Sequence, residues 1–240
     1  MNPQHIRTAM ALGEEAVEQL SAATVALVGV GGVGSYAAEA LARAGVGRII
    51  LCDHDVVSLS NLNRQLCALH STIGRNKAEV MAERLRDINP AAAVEALPIF
   101  YSAETREALF SCGAAHMIDA IDTVTAKIDL IVTAKERGVA LVSALGTGNK
   151  LDPSRLRISD LSKTSVCPLA RVMRRELKAR GVLHHRVLWS DEPPLTPLAL
   201  EAAPEGKRSV PASLSWVPSV AGLMLAGDVI LSIVGRTADQ

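Results

Sequence analysis

The chain is poor in aromatic residues, with two Trp, two Tyr and two Phe in 240 positions. A core built on ring clusters is therefore excluded, and Val, Ile, Leu and Ala must fill it. With 49% hydrophobic residues, that composition suits a parallel sheet covered on both faces. An excess of one charge is also missing, since 25 basic and 25 acidic residues cancel. Bulk attraction to nucleic acid or anionic membrane is thereby excluded, although a local basic face is compatible with neutrality. The four cysteines (Cys52, Cys67, Cys112, Cys167) form no C-x-x-C pair, which argues against a structural zinc and against a disulfide framework. The opening MNPQHIRTAM has no signal-peptide apolar region, so a cytoplasmic, reducing setting is expected. The most apolar stretch, WVPSVAGLMLAGDVILSIVG (216–235), contains Pro218 and Asp228. Carrying Asp228 to mid-bilayer would cost about 2.5–3.5 kcal/mol. A buried helix is expected there, with no integral membrane contact.

What the sequence does have is alternation. An amphipathic helix is predicted over 8–20, a strand at TVALVGV and a helix over Val33–Ala44. GRIILCD is the next strand, RNKAEVMAERLRDIN a helix stopped by Pro90, AVEAL a strand and AETREALF a helix. AAHMIDAID is a strand ending in Asp119 and Asp122, TAKIDLIVTAKERG a helix and VALVSAL a strand. This βαβα order predicts an α/β, Rossmann-like, doubly wound and mostly parallel sheet. Beyond Gly146 the expected elements are a strand at RLRISDL, a helix at PLARVMRRELKAR, a short strand at RVLWS and the apolar last helix. DEPPLTPLALEAAPEGKRSVPAS (191–213) has no periodicity and reads as a mobile loop or lid. A single domain over 1–240 is expected, with an N-terminal arm (1–20), a nucleotide-binding core (21–150) and a C-terminal extension (151–240).

Gly29, Gly31 and Gly34 follow the first strand and open a helix, and Asp53 lies nineteen residues past Gly34. Glycines there let a phosphate approach the helix N-terminus, and an acid at the next strand end suits a ribose. Tight strand–helix packing alone would also call for glycine. The motif does not choose the nucleotide, and a following Lys-Ser/Thr of a Walker loop is absent. Downstream, DHDVVSLSNLNRQ and GRNKAEVMAERLRDINP place Asn61, Arg64 and Lys77 where they can meet a phosphate tail. A hydride-transfer enzyme has no use for such cations, whereas cleavage of ATP has, because charge develops on the leaving pyrophosphate. Solvated surface charge is the plain alternative.

Taken together, Gly31-Gly32-x-Gly34, Asp53, Asn61-Leu62-Asn63-Arg64-Gln65, Lys77, Ile88-Asn89-Pro90 and Asp119-Ala120-Ile121-Asp122 resemble the ubiquitin-activating-type adenylating superfamily. The resemblance implies that ATP is bound by Gly31, Gly32, Gly34, Asp53, Asn61, Arg64 and Lys77. Asp53 would hold the ribose hydroxyls, and Arg64, Lys77 and Asp122 would be catalytic. Asp122 is implied as the Mg²⁺ ligand that aligns a substrate carboxylate for attack on the α-phosphorus. Arg7 matches an N-terminal arginine that reaches into the partner subunit's site, which implies a homodimer.

The C-terminal third narrows the branch. SALGTGNKLDPSRLRISDLSKTSVCPLARVMRRELKARG and SLSWVPSVAGLMLAGDVI resemble the tRNA threonylcarbamoyladenosine dehydratases, which cyclise that nucleoside through an acyl-adenylate. The implied partner is tRNA carrying threonylcarbamoyladenosine, and the resemblance leaves room for a sulfur-transfer or redox partner protein. Arg171, Arg174, Arg175 and Lys178 recur at i, i+3, i+4 and i+7, a basic helix stripe that can track phosphates. His184, His185 and Arg186 follow. A solvated face paired with Glu176 is the competing reading. Cys167 precedes Pro168 at a predicted helix start, where a thiol pKa can fall. A relay through it ranks below an ordinary small residue beside a cap. The runner-up function is an adenylyltransferase acting on the Gly-Gly tail of a sulfur carrier. A non-catalytic nucleotide-binding scaffold follows, and a nicotinamide dehydrogenase ranks last.

Overall fold

A computed structural model describes residues 2–198, 200 and 210–236. After a 3-10 turn at Pro3–His5, the N-terminal arm forms α1 (Ile6–Leu12) and α2 (Glu14–Ala22). The single helix expected over 8–20 is split at Gly13, whose φ of 97° and ψ of 158° are open essentially to glycine alone. The core then follows as β1 (Thr24–Val28), α3 (Gly34–Ala44), β2 (Arg48–Cys52), α4 (Lys77–Ile88), β3 (Ala93–Leu97), α5 (Arg106–Phe110), β4 (His116–Asp119), α6 (Val124–Glu136) and β5 (Ala140–Ala144). The extension supplies β6 (Leu156–Asp160), α7 (Pro168–Ala179), β7 (Arg186–Ser190) and α8 (Trp216–Ile233).

These strands form one seven-stranded sheet in the order β3-β2-β1-β4-β5-β7-β6. Every pairing is parallel except β6–β7. The sheet is therefore Rossmann-like and doubly wound, with an antiparallel edge. From β1 the chain winds outward through β2 and β3, then returns to place β4 on the other side of β1. This reversal opens a crevice at the carboxyl ends of β1 and β4, where ligands bind in such sheets.

The strands are long-buried runs of Val, Ile, Leu and Ala, as in β1 and β2, where four of five residues are buried. Helices α3, α4 and α8 pack on one face, with Leu41, Leu85 and Leu225 fully buried. Phe110, Met117 and Leu130 fill the other face. At the α3–α8 crossing, a Cβ on Gly222 would lie 2.2 Å from the Val33 carbonyl oxygen, so glycine is needed for that close approach. Asp228, on the otherwise apolar α8, is held by Arg186, with Nε 3.0 and 2.8 Å from its two carboxylate oxygens. Helix α8 passes a length-and-apolarity test for crossing a membrane, yet it packs against α3 with Val217, Ala221, Leu225, Ala226 and Val229 buried. Of the loop expected over 191–213, residues 199 and 201–209 lie outside the described residues.

Candidate active site

The glycines of the first βα turn divide into two kinds. Gly29 has φ of 91°, and a Cβ there would meet the Ala120 oxygen at 2.7 Å. A Cβ on Gly34 would stand 1.8 Å from the Gly29 oxygen. These two are required by the chain's own packing. Gly31 and Gly32 are different: a Cβ on Gly31 would find only the Gln65 amide, at 3.7 Å. One on Gly32 would meet the Arg64 Cγ at 3.3 Å. Gly31 is thus the open position of the turn, whereas the space at Gly32 is closed by the Arg64 side chain and Pro218.

Asp53 follows β2 directly. Its Oδ2 accepts the Val30 N–H at 2.6 Å and its Oδ1 accepts the Asp55 N–H at 2.8 Å. The carboxylate is thereby fixed against the glycine turn. Lys77 is the first residue of α4, and its Nζ lies 2.8 Å from Asp55 Oδ2. Asn76 caps α4 by accepting the Glu79 N–H at 3.1 Å, while its Nδ2 donates to the Asp53 and Asp55 carbonyls at 3.1 and 3.2 Å. One asparagine thus ties the lysine-bearing helix to the β2 exit. Asn61 is buried and its Oδ1 accepts the Ser58 N–H at 3.1 Å. Arg64, half-buried, donates to the Ser60 carbonyl at 3.0 Å and to Asn63 Oδ1 at 2.9 Å. Burial pushes its pKa below the usual arginine range, and it remains a cation at neutral pH.

Across the crevice, Asp122 is exposed just beyond β4 and meets the Thr123 hydroxyl at 3.4 Å. Asp119 forms a fully buried ion pair with Lys127 at 2.7 Å. It also accepts the Ile121 N–H at 3.1 Å. The metal fit rests on chemistry: a solvent-facing carboxylate supplies the hard oxygen that Mg²⁺ prefers. Asp53, His54 and Asp55 form a further oxygen-rich group, but Asp55 is engaged by Lys77.

Arg7 does not join this set within its own chain. It is exposed on α1, two residues from His5, whose ring lies 3.2 Å from where a Gly45 Cβ would stand. Gly45 closes α3 at the end opposite the glycine turn. With 11 residues in α3, the separation is about 16 Å.

The basic stripe is smaller than its spacing suggests. Arg171, Arg175 and Lys178 are exposed on α7, but Arg174 turns inward and donates to the Thr164 carbonyl at 2.8 Å and to its hydroxyl. Arg175 pairs with Glu176 at 2.7 Å. The following His184, His185 and Arg186 add little: His184 sits 3.3 Å from Asp160, and Arg186 is on Asp228. His185 is half-buried, 2.8 Å from the Ser143 hydroxyl, and desolvation pushes its pKa down to about 4. It is neutral at pH 7. Cys167, at the start of α7, is only 5% exposed, which shuts its sulfur away from a substrate. Burial pushes the Cys52 and Cys67 thiols up to about 12 and about 11, leaving them unreactive.

Three contributors escape a reading of the sequence. Asn76 had a visible signal, an Asn just before a helical run with Glu three residues on. Asp55 had none beyond its place in an acidic loop. The third is the segment entering α8, which comes back to the site: Asn63 Nδ2 donates to the Ser213 carbonyl at 2.9 Å, and Asn149 exchanges hydrogen bonds with Ala212 at 2.8 and 2.7 Å.

Known proteins share this fold. The chain is 44% identical to a tRNA threonylcarbamoyladenosine dehydratase of Bacillus subtilis over 240 residues, covering 96% of this chain and 94% of that protein. The dehydratase of Escherichia coli is 44% identical over 172 residues, 72% of this chain and 64% of that protein. A crystal structure of the E. coli enzyme with ATP superposes with a TM-score of 0.88 at 35% identity, covering 99% of this chain and 96% of that one. Its AMP complex gives 0.86 with 98% and 95% coverage. The ThiF family model matches residues 4–240, and the chain belongs to the ThiF family.

Proposed function

We propose that this chain is an ATP-dependent tRNA threonylcarbamoyladenosine dehydratase. The observation that carries the reading is the set around the switch between β1 and β4: a fixed acid (Asp53), a glycine turn open at Gly31 with Gly32 against Arg64, a second cation (Lys77) and an exposed carboxylate (Asp122). Asp53 binds the ribose hydroxyls. Asn61, Arg64 and Lys77 receive the triphosphate, with Lys77 leaving Asp55 as phosphate arrives. Asp122 would hold Mg²⁺, whose charge would screen the like charges of the attacking carboxylate and the phosphates.

The threonyl carboxylate attacks the α-phosphorus, an acyl-adenylate forms and pyrophosphate leaves. The carbamoyl group then closes on the activated carbonyl and expels AMP, so the nucleoside loses one water equivalent. No enzyme nucleophile is needed, since the second nucleophile is tethered at high effective concentration. This agrees with the burial of Cys167. Arg64 and Lys77 stabilise the pyrophosphate as its charge develops.

The chain works as one adenylating domain, paired in a homodimer in which Arg7 serves the partner's site. Supporting this, α1 buries none of its own residues, and Ile6 and Met10 stand 47% and 81% exposed on it. Arg171, Arg175 and Lys178 contact the tRNA backbone. The setting is cytoplasmic. Incubation with ATP, Mg²⁺ and tRNA carrying threonylcarbamoyladenosine, followed by nucleoside mass analysis, tests the reading. Loss of one water from that nucleoside is expected. An unchanged nucleoside from folded protein overturns it, and pyrophosphate exchange stimulated by a sulfur-carrier protein would then favour the adenylyltransferase reading.

A further inference from the structure

Two fully buried charges sit under the crevice, and the proposed chemistry uses neither. Asp119 and Lys127 are both 0% exposed, paired at 2.7 Å through Asp119 Oδ1. Replacing such a pair with apolar side chains is often neutral or stabilising, so stability alone is a poor reason for it. Its connections are more informative. The same Oδ1 accepts the Ile121 N–H at 3.1 Å, the amide immediately before Asp122. On the other flank, the Lys127 N–H donates to the Thr123 carbonyl at 3.0 Å, immediately after Asp122. Ala120 is pressed on Gly29, where no Cβ would fit, and its N–H donates to the Val28 carbonyl at 2.8 Å. Asp119 Oδ2 has no hydrogen-bond partner among the described residues, so Oδ1 alone carries both bonds.

We infer that the Asp119 carboxylate, held in place by Lys127, is the positioning group for the metal-binding carboxylate: its Oδ1 fixes the Asp119–Thr123 turn and so aims Asp122. The inference rests on the proposed role of Asp122 as metal ligand. Lys127 itself touches neither substrate nor metal. What the turn needs is an acceptor at the Asp119 Oδ1 position, and the lysine keeps a buried carboxylate there in the right orientation. Removing only the lysine leaves a lone buried charge that has to find another partner, and the turn moves with it.

The test uses the full chain, Mn²⁺ as the probe and the non-hydrolysable analogue α,β-methylene ATP. Bound Mn²⁺ is read from the loss of its free electron paramagnetic resonance signal, with thermal melts in parallel. Two double variants carry the test, because neither buries a charge and so both escape the cost of Lys127→Met alone. In Lys127→Met/Asp119→Asn the amide oxygen still accepts the Ile121 N–H, and Mn²⁺ affinity stays within about threefold of the parent. In Lys127→Met/Asp119→Leu the acceptor is gone, and Mn²⁺ affinity falls about tenfold or more, as for lost outer-shell partners of metal ligands. Analogue binding without metal stays near the parent value in both. Equal Mn²⁺ affinity in the two variants overturns the inference. Asp122→Asn is the separate control: retained Mn²⁺ binding there refutes the role of Asp122 itself, whatever the double variants do.

Discussion

Replacing Lys77 with methionine separates a catalytic cation from a structural one. The side chain of Lys77 is 8% exposed, whereas that of its partner Asp55 is 51% exposed. Methionine keeps the buried aliphatic stem, and Asp55 left alone remains hydrated. An ion pair with one such exposed partner contributes at most about 1 kcal/mol to stability. The cap that holds α4 belongs to Asn76, so the helix start is untouched. For the reaction, removal of a group that stabilises developing charge costs about 10²–10³ in rate, or roughly 2.7–4 kcal/mol of barrier. Single-turnover AMP formation with tRNA carrying threonylcarbamoyladenosine is the assay, with a thermal melt alongside. The expected result is a melt within a few degrees of the parent and a rate down at least a hundredfold. A rate within tenfold of the parent in a folded variant would refute the argument that Lys77 meets the leaving pyrophosphate.

Other expectations follow from the same geometry. Gly34→Ala should fail to give folded protein, because its Cβ would stand 1.8 Å from the Gly29 oxygen, whereas Gly31→Ala should fold and bind ATP more weakly; circular dichroism and calorimetric titration distinguish them. His185 has a folded pKa near 4, below its unfolded value of about 6.5. The folded state therefore binds fewer protons, and the stability tied to the neutral ring is present above pH 6.5 and lost as pH falls toward 4. Denaturant melts across that window should show a decline that His185→Gln flattens. Replacing Arg171, Arg175 and Lys178 together with alanine should reduce the slope of log affinity for tRNA against log salt by about 2–3. An unchanged slope would return those residues to ordinary solvated surface.

The parallel sheet was legible because β1 and β2 are nearly continuous apolar runs and the helices α3 and α4 between the first three strands have amphipathic spacing. The candidate ATP-binding set could be read from the sequence because Gly31, Gly32, Asp53, Arg64 and Lys77 lie in two short segments with a recognisable order. Long-range pairing was not. Nothing local says that Arg186 closes on Asp228, 42 residues away, or that Arg174 turns inward to Thr164, so both looked like free cations. His185 resembled a surface histidine because burial is decided by β5 and β7 meeting around Ser143. Asp119 reads only as one of two strand-end acids, and its partner lies one helix later, at Lys127. Gly13 split an amphipathic pattern whose periodicity survived the break.

The central claim is that the substrate carboxylate attacks the α-phosphorus of ATP. Labelling that carboxylate with ¹⁸O in tRNA carrying threonylcarbamoyladenosine tests it directly, by mass analysis of the released AMP after a single turnover. One ¹⁸O is expected to be transferred to AMP, alongside unlabelled pyrophosphate and a nucleoside lighter by the lost labelled oxygen. AMP free of label, with the nucleoside cyclised, would contradict the acyl-adenylate route.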